Sequence, residues 1–128
     1  MFDFLIVGIG GFIGCCLRFG ITKLMLPIQF QIPIATLLSN IIAGFFVGFI
    51  TELELNFGWM TPRAKLFLAT GMMGGLSTFS TFSMETINLF SQSKYIHAVG
   101  NIAFNITFSF LGVLLGILTV KVMFGKKA

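Results

Sequence analysis

Four long apolar stretches with few charged side chains run through the sequence. About 20 consecutive apolar residues are enough for an α-helix to cross the hydrocarbon core of a bilayer. Because 56% of the 128 residues are hydrophobic and only 9% are charged, a soluble domain of this size could not bury the apolar surface. We therefore predict one all-α integral membrane domain, residues 1–128, with four transmembrane helices at about residues 3–26, 32–51, 62–91 and 95–123.

Residues 71–85 interrupt the third predicted span near its middle. They contain the adjacent glycines Gly74 and Gly75, five hydroxyl side chains and two phenylalanines. Inside hydrocarbon, non-helical backbone survives only where it is buried in protein or lines a polar cavity, because every backbone amide and carbonyl must be hydrogen-bonded. Broken helices with inward-facing carbonyls form ion sites in membrane transporters. The sequence therefore predicts a helix that is broken in this region and contributes to an ion site.

Each predicted span also carries two glycines four residues apart. This spacing places both glycines on one face of a helix and lets two backbones approach closely. Such packing leaves little room for a pore inside one subunit, so we expect an oligomer. The pairs are Gly10 and Gly14, Gly44 and Gly48, Gly71 and Gly75, and Gly112 and Gly116.

Polar side chains within the spans are candidates for an ion path, because they are costly at membrane depth. Asn101, Asn105 and Ser109 recur every four residues and form one polar stripe on the fourth helix. Three donors in a line could replace an ion's water shell step by step, or could bond to neighbouring helices. Asn40 offers the same two alternatives. Arg18 is either an interfacial anchor or a group that attracts anions.

Two phenylalanines follow the predicted break, one helical turn apart. Phe79 and Phe82 are accompanied by the hydroxyl side chains of Ser80, Thr81 and Ser83. An aromatic ring has a positive edge and a negative face, so a ring edge can favour an anion. Alternating rings and hydroxyl groups would pass a small anion and give a cation little to bind. Glu85, one turn further on, has no evident part in such a path beyond hydrogen bonding or local packing.

The charged residues lie mostly near the ends of the predicted spans. The formal net charge of +4 fits anchoring to lipid headgroups and does not indicate nucleic-acid binding. The bias in Lys and Arg between the two ends is small, which leaves insertion in both orientations open. We expect a multi-pass protein of the cell membrane, plasma or inner. One end holds Arg63, Lys65, Lys121, Lys126 and Lys127, and the other holds Lys23 and Lys94.

With these residues assembled, the chain resembles the Fluc (CrcB) fluoride channel family over nearly its whole length. The most specific of the matching motifs is Gly74-Gly75-Leu76-Ser77-Thr78-Phe79-Ser80-Thr81-Phe82-Ser83. The other two are Gly10-Gly11-Phe12-Ile13-Gly14-Cys15-Cys16-Leu17-Arg18-Phe19 and Thr36-Leu37-Leu38-Ser39-Asn40-Ile41-Ile42-Ala43-Gly44. The resemblance implies a passive fluoride channel and no enzymatic activity.

The resemblance also implies an assembly and a set of site residues. The implied assembly is a homodimer of oppositely oriented subunits, with two fluoride paths at the interface and a structural Na⁺ at its centre. The backbone carbonyls of Gly74 and Ser77 would bind this Na⁺. The fluoride path would include Asn40, Phe79 and Phe82 and the polar stripe of the fourth helix. Aromatic or hydroxyl residues are common in the family at the positions of Asn101 and Asn105, so this chain departs from the family there.

Three other interpretations remain open. A four-span exporter of the small multidrug type shares the chain length and the dual topology. Such an exporter needs a carboxylate in the first span for proton coupling, and the only acid there is Asp3, at its start. A subunit that only supports assembly would explain the glycine faces but not the polar break. Some relatives of the resembled family are halves of a heterodimer.

Overall fold

The computed structural model describes residues 1–125, which form helices and contain no strand. The elements are α1 (Phe2–Met25), α2 (Ile34–Phe57), α3 (Pro62–Lys65), a π-helix (Leu66–Met73), α4 (Gly74–Leu76), α5 (Phe79–Ser91) and α6 (Tyr95–Phe124). Within this part of the chain, α1, α2 and α6 are each long and apolar enough to cross a membrane. The predicted all-α membrane class is confirmed at this level.

Local sequence signals set several helix ends. The Thr61 side chain accepts a hydrogen bond from the backbone N–H of Ala64 at 3.2 Å, and Pro62 follows in the first turn of α3. This cap satisfies an N–H group that a helix start would leave unbonded. Gly58 ends α2 with a φ of 62°, a left-handed conformation that favours glycine. Pro33 lies at the N-cap of α2, just before its first turn.

The helices pack as two parallel pairs. Gly10 of α1 faces Phe67 and Gly71 of the π-helix, and Gly14 faces Met72 and Leu76 further along. Residue numbers rise together along this contact, so α1 and the segment of residues 62–76 run in the same direction. The same is true of α2 and α6, where Gly44 faces Ser109 and Gly48 faces Val113. Ion pairs gather at one end of both pairs: Asp3 with Arg63, Glu54 with Lys65, and Glu52 with Lys121.

Glycine is required at the centre of both pairs because backbone meets backbone there. A methyl group on Gly14 would overlap the carbonyl oxygen of Met72, and one on Gly48 would overlap that of Val113. Gly116 approaches the carbonyl oxygen of Phe45 in the same way. The predicted glycine faces are therefore confirmed as helix-packing surfaces.

The distribution of polarity is the reverse of that in a soluble domain. Large apolar side chains such as Phe4, Phe12 and Phe110 point outward, as residues in contact with lipid do. Ser39 and Asn101 are fully buried inside the bundle. The buried apolar cluster of Ala43, Met73 and Leu76 is small. Interior hydrogen bonds therefore supply much of the contact between the two helix pairs.

We expect Gly116→Ala to lower the free energy of unfolding by about 1–3 kcal/mol, the usual cost of overpacking. The new methyl group would collide with the backbone of Phe45, which cannot move aside as a side chain can. Unfolding of the purified protein in detergent measures the change. The matched control is Gly20→Ala on α1, where no neighbouring atom lies within 4 Å. Equal losses in both variants would show that the close approach of α2 and α6 does not matter.

Candidate functional site

The helix break consists of two residues, Ser77 and Thr78. Both have extended backbone angles, with ψ of 153° and 120°. The break is narrower than residues 71–85, because α4 continues to Leu76 and α5 begins at Phe79. The Thr78 hydroxyl caps α5 by accepting a hydrogen bond from the N–H of Thr81 at 3.2 Å. Gly74 and Gly75 thus lie within α4 and precede the break.

The side chain of Asn40 on α2 holds the break open. Its Oδ1 accepts a hydrogen bond from the N–H of Thr78 at 2.8 Å. Its Nδ2 donates to the carbonyl of the same residue at 3.3 Å. One side chain therefore satisfies both backbone groups of Thr78, as extended backbone at membrane depth requires.

The break leaves several backbone carbonyls without their usual helical donors, those of Gly74 and Ser77 among them. In a continuous α-helix, the N–H of Thr78 would donate to Gly74 and the N–H of Thr81 would donate to Ser77. Here the first donates to Asn40 and the second to the Thr78 hydroxyl. Gly74 is exposed, and no atom lies within 4 Å of the position where its side chain would begin. The carbonyls of Gly74 and Ser77 have therefore lost the N–H donors that a continuous helix would provide.

A groove of about 540 Å³ runs beside the break and is open along one side of the bundle. Its walls are mainly apolar, with amide and hydroxyl groups at intervals. The groove is lined by Asn40, Ala43, Gly44, Val47, Ser77, Thr78, Phe79, Phe82, Asn105, Ile106, Ser109, Phe110 and Val113. The structure thus brings together several of the predicted site residues from α2, α5 and α6. Arg18, Gly74, Ser80, Thr81, Ser83 and Asn101 lie outside this lining.

Phe79 and Phe82 form a pair with different exposure. Their ring centroids are 5.5 Å apart, and the ring planes are tilted by 54°. Phe79 is 79% exposed and Phe82 is 9% exposed, so only the first ring projects from the subunit. A tilted pair presents a ring edge beside a ring face, as quadrupoles prefer.

The hydroxyl groups at the start of α5 bond mainly to each other and to the backbone. The Thr78 hydroxyl donates to Thr81 at 3.0 Å and lies 3.4 Å from the Ser80 hydroxyl. The Ser83 hydroxyl donates to the carbonyl of Phe79 at 2.9 Å. These contacts stabilise the first turn of α5 and commit the hydroxyl protons of Thr78 and Ser83.

The polar stripe of α6 is joined to the break by side-chain hydrogen bonds. Asn105 accepts a hydrogen bond from Nδ2 of Asn40 at 3.0 Å and donates to Oδ1 of Asn101 at 3.0 Å. Asn101 in turn donates to the Thr86 hydroxyl of α5 at 2.9 Å. Ser109, the third residue of the stripe, lies on the groove wall.

Two ionisable side chains lie apart from the groove. Arg18 is half-buried on α1, and its Nη2 lies 3.8 Å from the Cys15 sulfur. Glu85 accepts a hydrogen bond from the Thr36 hydroxyl at 2.7 Å, which links α5 to the start of α2. Sequence reasoning missed Thr36 as the partner of Glu85. A hydroxyl group in the first turn of an apolar helix was the only signal available.

Residues 1–125 contain no group of three or more His, Cys, Asp or Glu side chains that could bind a metal ion. The carbonyls of Gly74 and Ser77 are neutral oxygens of the kind that could bind a cation without such a group. Neutral hard oxygen ligands suit a monovalent cation better than Ca²⁺ or Mg²⁺, which take carboxylates.

The broken helix, the apolar exterior and a mainly apolar groove with amide and hydroxyl groups at intervals are features of a multi-pass helical membrane protein. A family model described as CrcB-like protein, Camphor Resistance (CrcB), matches residues 5–117. The chain belongs to this CrcB family.

Several relatives are named Fluoride-specific ion channel FluC. The protein from Ruminiclostridium cellulolyticum is 41% identical over 122 residues, and the match covers 94% of each chain. The protein from Clostridium novyi is 43% identical over 123 residues with the same coverage. The protein from Chlorobium phaeobacteroides is 37% identical over 119 residues, covering 93% of this chain and 92% of its own. The family resemblance inferred from the sequence motifs is confirmed.

Proposed function

We propose that this chain is a channel subunit that lets fluoride leave the cell passively. Its relatives are named fluoride-specific ion channels, and the chain has no need of enzymatic chemistry in this function. The observation that carries the proposal is the groove where Asn40, Phe79 and Phe82 meet beside the broken helix. Such a surface combines amide hydrogens and ring edges, both of which favour an anion over a cation.

In this proposal the segment of residues 62–91 is the fourth membrane crossing. It runs parallel to α1 through the glycine contacts, and α2 runs parallel to α6. The ion pairs at one end then mark one membrane surface, with Asp3, Glu54 and Lys121 among the residues there. Charged helix ends of this kind fit contact with lipid headgroups.

The groove also supports a dimer of oppositely oriented subunits. It is open along one side, and Phe79 projects from it. Gly74 beside it leaves room for the backbone of a partner. The small difference in Lys and Arg between the two ends allows both orientations in one membrane. A second copy of the chain, turned over, would close each groove into a path.

The fluoride path in this proposal has two walls. One is formed by Phe79 and Phe82 on α5, and the other by Asn105 and Ser109 of the stripe on α6, while Asn101 lies buried behind the groove. Asn40 lies between the walls. Its hydrogen bond to the Thr78 carbonyl, at 3.3 Å, is its longest, so an anion would compete most readily for this amide hydrogen without a change in the orientation of the amide. Arg18 would act from outside the groove by attracting anions.

We propose that Gly74 and Ser77 bind a structural Na⁺ at the dimer centre. Their carbonyls fit such a group, because the N–H groups that would bond to them in a continuous helix donate elsewhere. Two subunits would offer four such oxygens. When bound, the ion would neutralise the facing carbonyl dipoles of the two breaks and hold the subunits together.

Fluoride efflux from liposomes containing the purified chain tests the proposed function. We expect loaded fluoride to leave when a potassium ionophore relieves the build-up of charge, with no imposed proton gradient. Efflux only with a proton gradient would contradict the channel and support a coupled exporter. Flux that requires a second, different subunit would identify the chain as half of a heterodimer.

Phe79→Ile should reduce fluoride efflux about ten-fold, which corresponds to about 1.4 kcal/mol. The change keeps an apolar side chain of similar bulk and removes the ring quadrupole. Because Phe79 is mostly exposed, the fold should lose less than about 1.5 kcal/mol. Phe12→Ile, at an exposed position of α1, is the control and should conduct like the wild type. Normal efflux through the Phe79 variant would leave this ring without a role in the path.

Gly74→Val should prevent the dimer from forming while the subunit still folds. Within one chain, a side chain at Gly74 meets no atom within 4 Å, so the clash would arise only with a partner. The fraction of dimer in detergent or in bilayers, measured by cross-linking, should fall sharply. Gly8→Val on α1 makes the same change at another open position and should dimerise normally. Wild-type dimerisation of the Gly74 variant would place the interface elsewhere.

A further inference from the structure

A continuous chain of buried hydrogen bonds joins α5 to α6 and α2. The Thr86 hydroxyl donates to the carbonyl of Phe82 at 2.8 Å, and Asn101 donates to the Thr86 oxygen at 2.9 Å. Asn105 donates to Oδ1 of Asn101 at 3.0 Å and to its backbone carbonyl at 3.1 Å. Asn40 donates to Oδ1 of Asn105 at 3.0 Å. We call the side chains of Thr86, Asn101, Asn105 and Asn40 the amide ladder.

Thr86, the first residue of the amide ladder, fixes which group donates and which accepts in each of its hydrogen bonds. A threonine hydroxyl has a single proton, and Thr86 gives its proton to the carbonyl of Phe82. The Thr86 oxygen can therefore only accept a hydrogen bond from Asn101. This turns the NH₂ group of Asn101 toward Thr86 and its carbonyl oxygen toward Asn105.

The orientation of Asn101 fixes that of Asn105, which in turn fixes the orientation of Asn40 at the break. Asn105 points its NH₂ group at Asn101, so its Oδ1 faces Asn40 and accepts from it. Asn40 must then place its NH₂ group toward Asn105, which leaves its Oδ1 for the N–H of Thr78. The backbone of Thr78 requires this same orientation. Thr86 at one end of the ladder and the backbone of Thr78 at the other therefore require the same orientation of the Asn40 amide.

The ladder leaves its α6 members poorly placed to bind an ion. Asn101 is 0% exposed and does not line the groove. Both amide hydrogens of Asn105 have acceptors on Asn101. Burying such groups costs little only while they stay bonded to each other. An anion at Asn105 would have to break one of these bonds of 3.0 and 3.1 Å, whereas at Asn40 it would compete with the longer bond of 3.3 Å to the Thr78 carbonyl.

We infer, on the basis of the proposed channel function, that Thr86, Asn101 and Asn105 are positioning residues that fix the amide of Asn40, and that Asn101 and Asn105 are not fluoride ligands. An amide can donate on one side and accept on the other, which lets two asparagines transmit an orientation from Thr86 to Asn40. Fluoride then meets Asn40 in one fixed orientation beside Phe82.

Thr86→Val separates positioning from direct binding, because Thr86 does not itself line the groove. The variant removes the acceptor of Asn101 and should lower fluoride efflux about five- to thirty-fold, the effect of one or two kcal/mol. Thr86→Ser keeps the hydroxyl and should restore efflux. Thr119→Val on α6 makes the same change to an exposed threonine bonded within its own helix, and should conduct normally.

Two readouts distinguish positioning from a loss of folded protein. Efflux is measured per dimer isolated by size exclusion, at low and at saturating fluoride. The side-chain amide signal of Asn40, in protein labelled with ¹⁵N-asparagine, should shift in Thr86→Val and return in Thr86→Ser. The amide signal of exposed Asn88 should stay unchanged in both.

The outcomes separate the inference from the proposed function. A wild-type protein without efflux would overturn the proposed function itself. A folded Thr86→Val dimer with wild-type efflux and an unshifted Asn40 signal would overturn the positioning role. If Thr86→Val does not fold, the double variant Thr86→Val with Asn101→Leu removes both polar partners and should fold. Wild-type efflux through that double variant would also overturn the role, because Asn105 would have lost its side-chain acceptor.

Discussion

The two hydrogen bonds between the side chain of Asn40 and the backbone of Thr78 are the contact on which the rest of the site depends. Extended backbone in an apolar bundle would be unstable without such partners. Asn40 supplies a donor and an acceptor from one side chain, so two residues can leave the helix without an unbonded backbone group at Thr78. Three features accompany this contact: the loss of the helical N–H donors to the carbonyls of Gly74 and Ser77, the exposed ring of Phe79 and the start of α5.

The two hydrogen bonds between Asn40 and Thr78 also join the two helix pairs, which are otherwise packed separately. Glycine contacts bind α1 to the segment that begins at Pro62, and α2 to α6, through backbone surfaces. Asn40 lies on α2, and Thr78 lies on the broken helix. The small apolar cluster around Ala43 and Leu76 and the bond from Thr36 to Glu85 add to the same junction. Backbone packing therefore builds each pair, and side-chain polarity aligns one pair against the other.

Features that depend on neighbouring residues could be predicted from the sequence. The four-residue glycine spacing predicted the packing faces, and a threonine followed by a proline, as at Thr61 and Pro62, is typical of a helix start. The width of the break could not be predicted, because it depends on Asn40, far away in sequence, and on the capping hydroxyl of Thr78. The π-helix at Leu66–Met73 has no local signal in its apolar sequence. The bonds from Asn40 to Asn105 and from Thr36 to Glu85 join distant segments and appear only in the folded chain.

The same contacts explain how one site could offer opposite surfaces to a cation and an anion without using formal charge. Most polar side chains inside the bundle bond to each other, and they leave few free groups. The groove is lined by Ser77 and, beyond the break, by the exposed ring of Phe79, and Gly74 is exposed just before the break. Carbonyl oxygens suit a cation, and ring edges suit an anion. Because the break separates these two kinds of group along a single helix, a resident cation and a passing anion would meet different parts of the same backbone.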